Sequence, residues 1–276
     1  MAVIAMTSLS GAPGVTTAAT AWAMNAERAT LVIEADPVGG SPILAGAFGS
    51  QMSYDTSILN LGILPAGMSL MDRLHEQQVA FPDCDDAWLI PAPSQPGQAS
   101  SLQPRWHSIG RAAQELSDKA GMDVLIDLGR WCSPQPAAGL LPQIDLMLVF
   151  VRADLPGVHV LHQGLANLRQ ALQESSESES PLTRVGLVSL EADHDSIPSR
   201  TLTNLFSPQP LLGTLPYTPS GVRPWRRGTP VPQRSVLDRF TKADQSASYV
   251  SSIRSLATRS REHAQAYTAA LTGDLA

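Results

Sequence analysis

The chain alternates between short apolar runs, typical of buried strands, and longer stretches in which apolar residues recur at helical spacing. Seven strands are predicted, at residues 2–9, 30–33, 87–90, 122–128, 145–151, 183–190 and 210–215. Helices are predicted at residues 68–77, 106–120, 158–172, 196–206 and 243–271, and another begins at Thr16 or Thr17 and runs through residues 18–26. Residues 48–67, 173–181 and 217–234 are predicted as loops, the first with one short element.

Strands followed by helices along the whole length predict an α/β protein with a doubly wound, mostly parallel sheet flanked by helices. The sequence has no internal repeat and no convincing linker, so residues 1–276 are predicted to form a single domain that ends in the long helix at 243–271. Ser196 is expected to cap the short helix that follows it.

Composition narrows the class of protein. Apolar residues make up 43% of the chain, which is ample for a core, and the net charge of −6 argues against a protein that coats nucleic acid along its whole surface. The sequence has neither a signal-peptide pattern nor an apolar run long enough to span a bilayer. Cys84 and Cys132 are far apart, without metal-ligand spacing, and are expected to be free thiols. A cytoplasmic protein without membrane insertion is therefore predicted.

A glycine-containing loop, residues 9–17 (LSGAPGVTT), connects the first predicted strand to the first helix. In nucleotide-binding proteins such a loop turns backbone N–H groups around a phosphate at the positive end of a helix. The general phosphate-loop pattern is G-x-x-x-x-G-K-[ST], whereas Val15 stands here at the lysine position. The shape of a phosphate cradle is predicted, without its main point charge.

Two carboxylates are predicted at the edge of the sheet where such a loop lies. Asp36 follows the second strand and opens a Gly-rich turn, and Asp127 lies at the end of a buried strand. An acid at this position is the usual partner of a Mg²⁺ beside a phosphate loop. The alternatives remain open at this point: Asp36 is a turn residue before proline, and Asp127 is a loop-facing acid with local hydrogen bonds.

These pieces resemble the ParA/MinD family of P-loop ATPases, whose loop has the form K-G-G-x-G-K-T-[ST]. Residues 10–17 (SGAPGVTT) keep the two glycines and the two threonines and lose both lysines, to Ser10 and Val15. The segment 34–40 (EADPVGG) resembles the family's D-x-D-P-Q-G-N stretch, 123–127 (DVLID) its Mg²⁺-linked strand, and 211–216 (LLGTLP) a late strand whose following loop contacts adenine.

The resemblance implies an ATP site with Mg²⁺ and roles for particular residues. Asp36 would lie near the γ-phosphate and the attacking water, as the catalytic residue. Thr16 and Asp127 would hold Mg²⁺. The residues implied to bind the nucleotide are Gly11, Ala12, Pro13, Gly14, Val15, Thr16, Thr17 and Pro216.

The family's ATP-bound dimers position plasmids, chromosomes, division machinery, pili or flagella, so the resemblance implies a homodimer with a protein partner in a positioning, partition or secretion system. Loss of both lysines predicts weak hydrolysis or none. Three hypotheses stay open: a positioning or partitioning regulator with a degenerate ATP site, a nucleotide-free scaffold, and an ATPase that recruits an arginine, namely Arg130, Arg152 or the pair Arg226 and Arg227.

A basic cluster near the C-terminal third has several interpretations. Arg223, Arg226 and Arg227 could contact nucleic-acid phosphates while Trp225 stacks on a base, and Arg234 follows in the same loop. The cluster could equally be a partner surface, a loop over the nucleotide face, or surface charge between prolines. The histidines lack paired metal-ligand spacing, so no further metal site is predicted.

Overall fold

The computed structural model of the chain describes residues 1–11, 14–95, 97–131, 136–175, 183–228 and 242–272. Eight strands form one sheet in the order β3-β4-β2-β5-β1-β6-β7-β8, and all neighbours are parallel except β3 and β4. The strands are β1 (Val3–Ser8), β2 (Thr30–Glu34), β3 (Val79–Ala80), β4 (Ala87–Ile90), β5 (Asp123–Arg130), β6 (Leu146–Arg152), β7 (Val185–Leu190) and β8 (Leu211–Leu215).

Helices cover both faces of the sheet, which confirms the predicted doubly wound α/β fold. Three short 3₁₀ helices, Ile58–Gly62, Gln98–Arg105 and Pro136–Gln143, add to one face. The α-helices are α1 (Val15–Asn25), α2 (Pro42–Ala45), α3 (Leu70–Glu76), α4 (Trp106–Ala120), α5 (Leu155–Glu174), α6 (Ser199–Leu205), α7 (Arg223–Arg227) and α8 (Lys242–Thr272).

The central strands are buried on both faces, which explains their nearly continuous apolar sequences. One apolar cluster packs α3, α4, α5 and α6 against the sheet, and a second packs α1, α2, α7 and α8 against the other face. Small alanines of α1 let that helix lie close to the strands, with Trp22 fully buried beside them. This arrangement brings the carboxyl ends of the parallel strands to a single edge.

Some predicted elements differ from the structure. The two-residue strand β3 was not predicted, because a run of this length carries no detectable alternation. Ser196 does not cap a helix: its hydroxyl accepts a hydrogen bond from the Ala192 N–H, and α6 begins only after Pro198. The loop predicted at 217–234 contains α7, while residues 229–241, with Arg234, lie outside the described residues.

Two further predictions meet the limits of the described chain. The Ser/Glu-rich segment predicted as a loop begins within α5, which extends to Glu174, and residues 176–182 lie outside the described residues. Cys132 also lies outside the described residues, whereas Cys84 is a free thiol, as expected. No helix among the described residues is both long enough and apolar enough to cross a membrane.

Candidate functional site

The loop between β1 and α1 lies at the carboxyl edge of the sheet, where the sequence predicted a phosphate cradle. Gly11 and Gly14 have φ angles of +56° and +84°, a left-handed conformation that glycine adopts at little cost. Gly14 is the N-cap of α1, and no side chain among the described residues caps the helix, so the first backbone N–H groups of α1 are open to an acceptor. Ala12 and Pro13 lie outside the described residues.

Thr16 and Asp127 come together beneath this loop. The Asp127 carboxylate is buried at the end of β5, where it accepts a hydrogen bond from the Gly129 N–H at 2.9 Å. Burial raises the pKa of Asp127 to about 6, and hydrogen bonds from the Thr16 side chain and the Gly129 N–H oppose this rise. Asp127 is therefore a buried acid that combines a local hydrogen bond, from Gly129, with a contact to Thr16 on α1.

Asp36 lies beside Asp127, although it belongs to a different strand ending. Its Oδ1 accepts the Val38 N–H at 2.9 Å in a local turn, so the turn interpretation describes part of its role. Its Oδ2 lies so close to Gly129 that a Cβ there would be 2.1 Å away. Burial raises the pKa of Asp36, and the Asp36 charge in turn contributes to the raised pKa of Asp127.

Glu34 is a third buried carboxyl at this edge, and no role was predicted for it from the sequence. It is the register partner of Asp127 across β2 and β5. Its Oε2 accepts hydrogen bonds from the Ser41 hydroxyl and from the Ala92 N–H, whereas its buried Oε1 has no partner among the described residues. Burial raises the pKa of Glu34 to about 8. The pairing of β2 with β5, which places Glu34 beside Asp127, is the information that would have identified Glu34 from the sequence.

Val15, at the lysine position of the loop, points into the core. Its side chain is only 4% exposed and packs with the alanines of α1. The first residue of α1 thus contributes to packing, and it supplies no charge to the loop.

Arg130 brings a positive charge next to the loop. It is exposed, and its Nε donates a hydrogen bond to the Gly11 carbonyl at 3.2 Å. Its charge also lowers the pKa of Asp36, against the larger effect of burial. Arg152, at the end of the neighbouring β6, pairs instead with Asp154 at 2.7 Å.

The remaining candidate residues, Pro216 and the cluster on α7, lie away from the loop or have another role in the fold. Pro216 follows β8 at the same edge, but three strands from β1, which is roughly 14 Å at the usual strand spacing. Trp225 is 2% exposed and packs on Tyr249, with 5.4 Å between ring centroids, so the one interpretation of the cluster in which Trp225 stacks on a base is wrong. The arginines of α7, Arg223, Arg226 and Arg227, are exposed.

The donor set fits a Mg²⁺ held together with a phosphate. A hydroxyl and a buried carboxylate meet at Thr16 and Asp127, and Asp36 adds a third source of oxygen nearby. Mg²⁺ takes few protein ligands in such sites and keeps waters and phosphate oxygens. Accordingly, no group of three or more acidic, histidine or cysteine side chains within the described ranges forms a cage for a metal alone.

Solved structures with the same fold share almost the whole length of this chain. A chain of the MinC:MinD cell division protein complex from Aquifex aeolicus is 16% identical, with a TM-score of 0.65 over 95% of this chain and 96% of that chain. A ParA family ATPase from Chlorobium tepidum is 13% identical, with a TM-score of 0.59 over 97% and 98% of the two chains.

A third structure contains a nucleotide: the septum site-determining protein MinD from Pyrococcus horikoshii, complexed with Mg-ADP, is 14% identical, with a TM-score of 0.57 over 93% and 94% of the two chains. No model of a known protein family matches the chain, nor does any curated protein sequence. The chain therefore has the fold of the MinD and ParA ATPases.

Proposed function

We propose that this protein is a MinD/ParA-type positioning or partitioning regulator that binds ATP with Mg²⁺ at a degenerate site and hydrolyses it very slowly. The main support is that Thr16 and the buried Asp127 carboxylate lie together beneath Gly14, whose backbone is left-handed. A hydroxyl and an acid at this position are what a Mg²⁺ beside a phosphate loop requires. The Mg-ADP complex of the Pyrococcus horikoshii protein, which has this fold, supports the proposal.

Each predicted site residue has a role in this proposal. The backbone of residues 11–17 cradles the phosphates at the start of α1, and the loop after β8, with Pro216, lies towards the adenine. Thr16 and Asp127 hold Mg²⁺, and Asp36 faces the γ-phosphate. The metal, when bound, neutralises charge on the β- and γ-phosphate oxygens.

Slow hydrolysis follows from the missing loop charges. Positive groups aimed at the transferring phosphoryl group provide much of its transition-state stabilisation, and loss of one such donor costs on the order of 10²–10³ in rate. Ser10 and Val15 replace both lysines of the resembling loop, and Val15 is committed to the core. Binding through backbone N–H groups and Mg²⁺ depends less on those lysines than hydrolysis does.

A nucleotide-dependent dimer and a protein partner belong to the same proposal. Val38, Leu155 and Tyr217 follow β2, β6 and β8, and they are 61%, 78% and 49% exposed. Apolar side chains exposed at the edge that holds the loop support an association surface there. The MinC:MinD complex supports a protein partner, and the exposed Arg223, Arg226 and Arg227 would contact the phosphates of a nucleic-acid partner.

Sedimentation velocity tests this function directly. With ATP and Mg²⁺ the protein should shift towards a dimer, and with ADP or without nucleotide it should not. Asp127→Asn should abolish the shift while the fold, checked by circular dichroism, remains. The same sedimentation under all conditions would contradict a nucleotide switch.

A nucleotide-free scaffold is the second candidate, and the burial of Val15 favours it. A loop whose lysine position has become part of the core is what a protein that kept the fold and lost the ligand would contain. This candidate would be supported by a sedimentation coefficient that is the same with and without nucleotide, together with capture of a protein partner when no nucleotide is present.

A further inference from the structure

The loop of this protein lacks its lysines, so a nucleotide bound there needs positive charge from elsewhere in the chain. Phosphate groups are bound most strongly by charged donors, and an arginine can form two parallel hydrogen bonds with one phosphate. Residues 9–17 contain no cation, so this charge must come from a residue that is distant in sequence and reaches the loop through space.

Among the described residues, Arg130 is a cation that contacts the loop. Its Nε donates to the Gly11 carbonyl at 3.2 Å, across 119 positions of sequence. The guanidinium has five N–H donors, of which this bond uses one, and the residue is exposed. Among the described residues no carboxylate forms an ion pair with it.

Gly129 explains why Arg130 has this position. The β5 strand ends in a left-handed glycine, φ +58°, against which the Asp36 carboxylate lies. Arg130 is the next residue, and its side chain contacts the first glycine of the loop. The influence of its charge on the pKa of Asp36 agrees with this position.

The other candidate arginines are less suitable. Arg152 is held by Asp154, whose other oxygen accepts the Gly157 N–H at 2.8 Å at the start of α5. Arg226 and Arg227 lie on α7, and in the described part of the chain they form no hydrogen bond with the loop.

We propose that Arg130 replaces the missing lysines, and that its guanidinium binds the β- and γ-phosphates of a nucleotide held by the loop of the same chain. The inference rests on the proposed nucleotide binding and deepens it by naming the residue that supplies the charge. Such a residue makes the site selective for the number of phosphates.

Calorimetric titration with ATP, ADP and AMP, each with Mg²⁺, tests the proposal in three variants. Arg130→Gln should weaken ATP binding on the order of 10- to 100-fold, the usual effect of losing hydrogen bonds between charged groups. AMP binding should change by less than about threefold, because AMP lacks the outer phosphates. Arg130→Lys, which keeps the charge, should retain part of the ATP affinity.

Arg152→Gln is the matched control, an exposed arginine at the end of the adjacent strand, and it should bind ATP like the natural sequence. Thermal unfolding without nucleotide should be the same for all variants. If the natural sequence binds ATP and Arg130→Gln binds it equally well, the role of Arg130 is wrong while the proposed function stands. If the natural sequence binds no nucleotide, both fail.

Discussion

Val15 satisfies the packing of the core but lacks the charge that a phosphate loop usually has at this position. The position begins α1 and faces the core, so an aliphatic side chain satisfies the fold completely. A lysine there would have to run its stem along apolar surface before its charge reached a phosphate. The valine therefore keeps the loop in place and leaves it without a point charge.

Restoring the lysine should restore affinity. Val15→Lys is expected to raise ATP affinity on the order of tenfold, because the ammonium adds a charged donor to the phosphates. Loss of the buried valine should lower the free energy of unfolding by about 1 kcal/mol. Calorimetry and urea denaturation measure the two effects. Val15→Gln has a side chain of similar length without the charge. It should show the same decrease in the free energy of unfolding and no increase in ATP affinity.

Gly129 is the residue that lets Asp36 approach β5. Gly129→Ala combines a left-handed alanine with a Cβ 2.1 Å from the Asp36 Oδ2, and it should cost at least about 2 kcal/mol of stability and weaken ATP binding. Gly49→Ala is the control, because Gly49 has φ +60° with open space around it and should lose only about 1 kcal/mol. Equal losses at the two positions, with ATP binding unchanged, would count against the close contact.

The candidate site could be predicted only in part from single residues. Asp36 and Asp127 were found because a carboxylate after a buried strand has a known meaning in an α/β sheet. The buried state of Glu34 and the contact of Arg130 with Gly11 depend on which strands are neighbours and in what register. That information is absent from local sequence.

At the scale of elements, length and periodicity decided what could be predicted. The bounds of α4 and β4 agree with the sequence prediction residue for residue, because both have strong patterns between clear boundaries. The helix α7 was missed because Pro224 and three arginines are typical of a loop. Trp225, buried against Tyr249, holds this helix on the core. The short strand β3 depends wholly on its pairing with β4.

A buried ion pair joins α8 to the sheet, in addition to the apolar residues of α8 that pack there. Arg261 Nε lies 2.5 Å from Asp123 Oδ2 at the start of β5, and the Asp123 side chain is fully buried. Arg261→Gln leaves that carboxylate without its charged partner, and we expect it to lower the free energy of unfolding by about 3 kcal/mol in urea denaturation. Arg259→Gln, at an exposed position of the same helix, should change it by less than about 0.5 kcal/mol. A loss no greater than that of the control would mean that the pair does not hold α8.

At the scale of the whole molecule, stability should depend on pH through the buried carboxyls. Burial raises the pKa of Glu34 from its usual 4.5 to about 8, so the folded protein keeps a proton that the unfolded chain releases. The free energy of unfolding should therefore fall by a few kcal/mol as pH rises from about 4.5 to about 8.

Glu34→Gln should remove most of this decline, whereas Glu27→Gln, at an exposed position, should keep it. Urea denaturation at pH 5 and pH 8 without Mg²⁺ compares the three proteins. A decline that is just as steep in Glu34→Gln would show that Glu34 is not its source.

We propose above that this fold still holds a nucleotide with Mg²⁺ despite the loss of both loop lysines. Calorimetric titration of the purified protein with ATP, with and without Mg²⁺, tests it most directly. We expect saturable binding that weakens by about tenfold or more when Mg²⁺ is removed or when Asp127→Asn is introduced. No detectable heat at millimolar ATP with Mg²⁺ would contradict it, and the protein would then be a scaffold that kept the fold of an ATPase without its ligand.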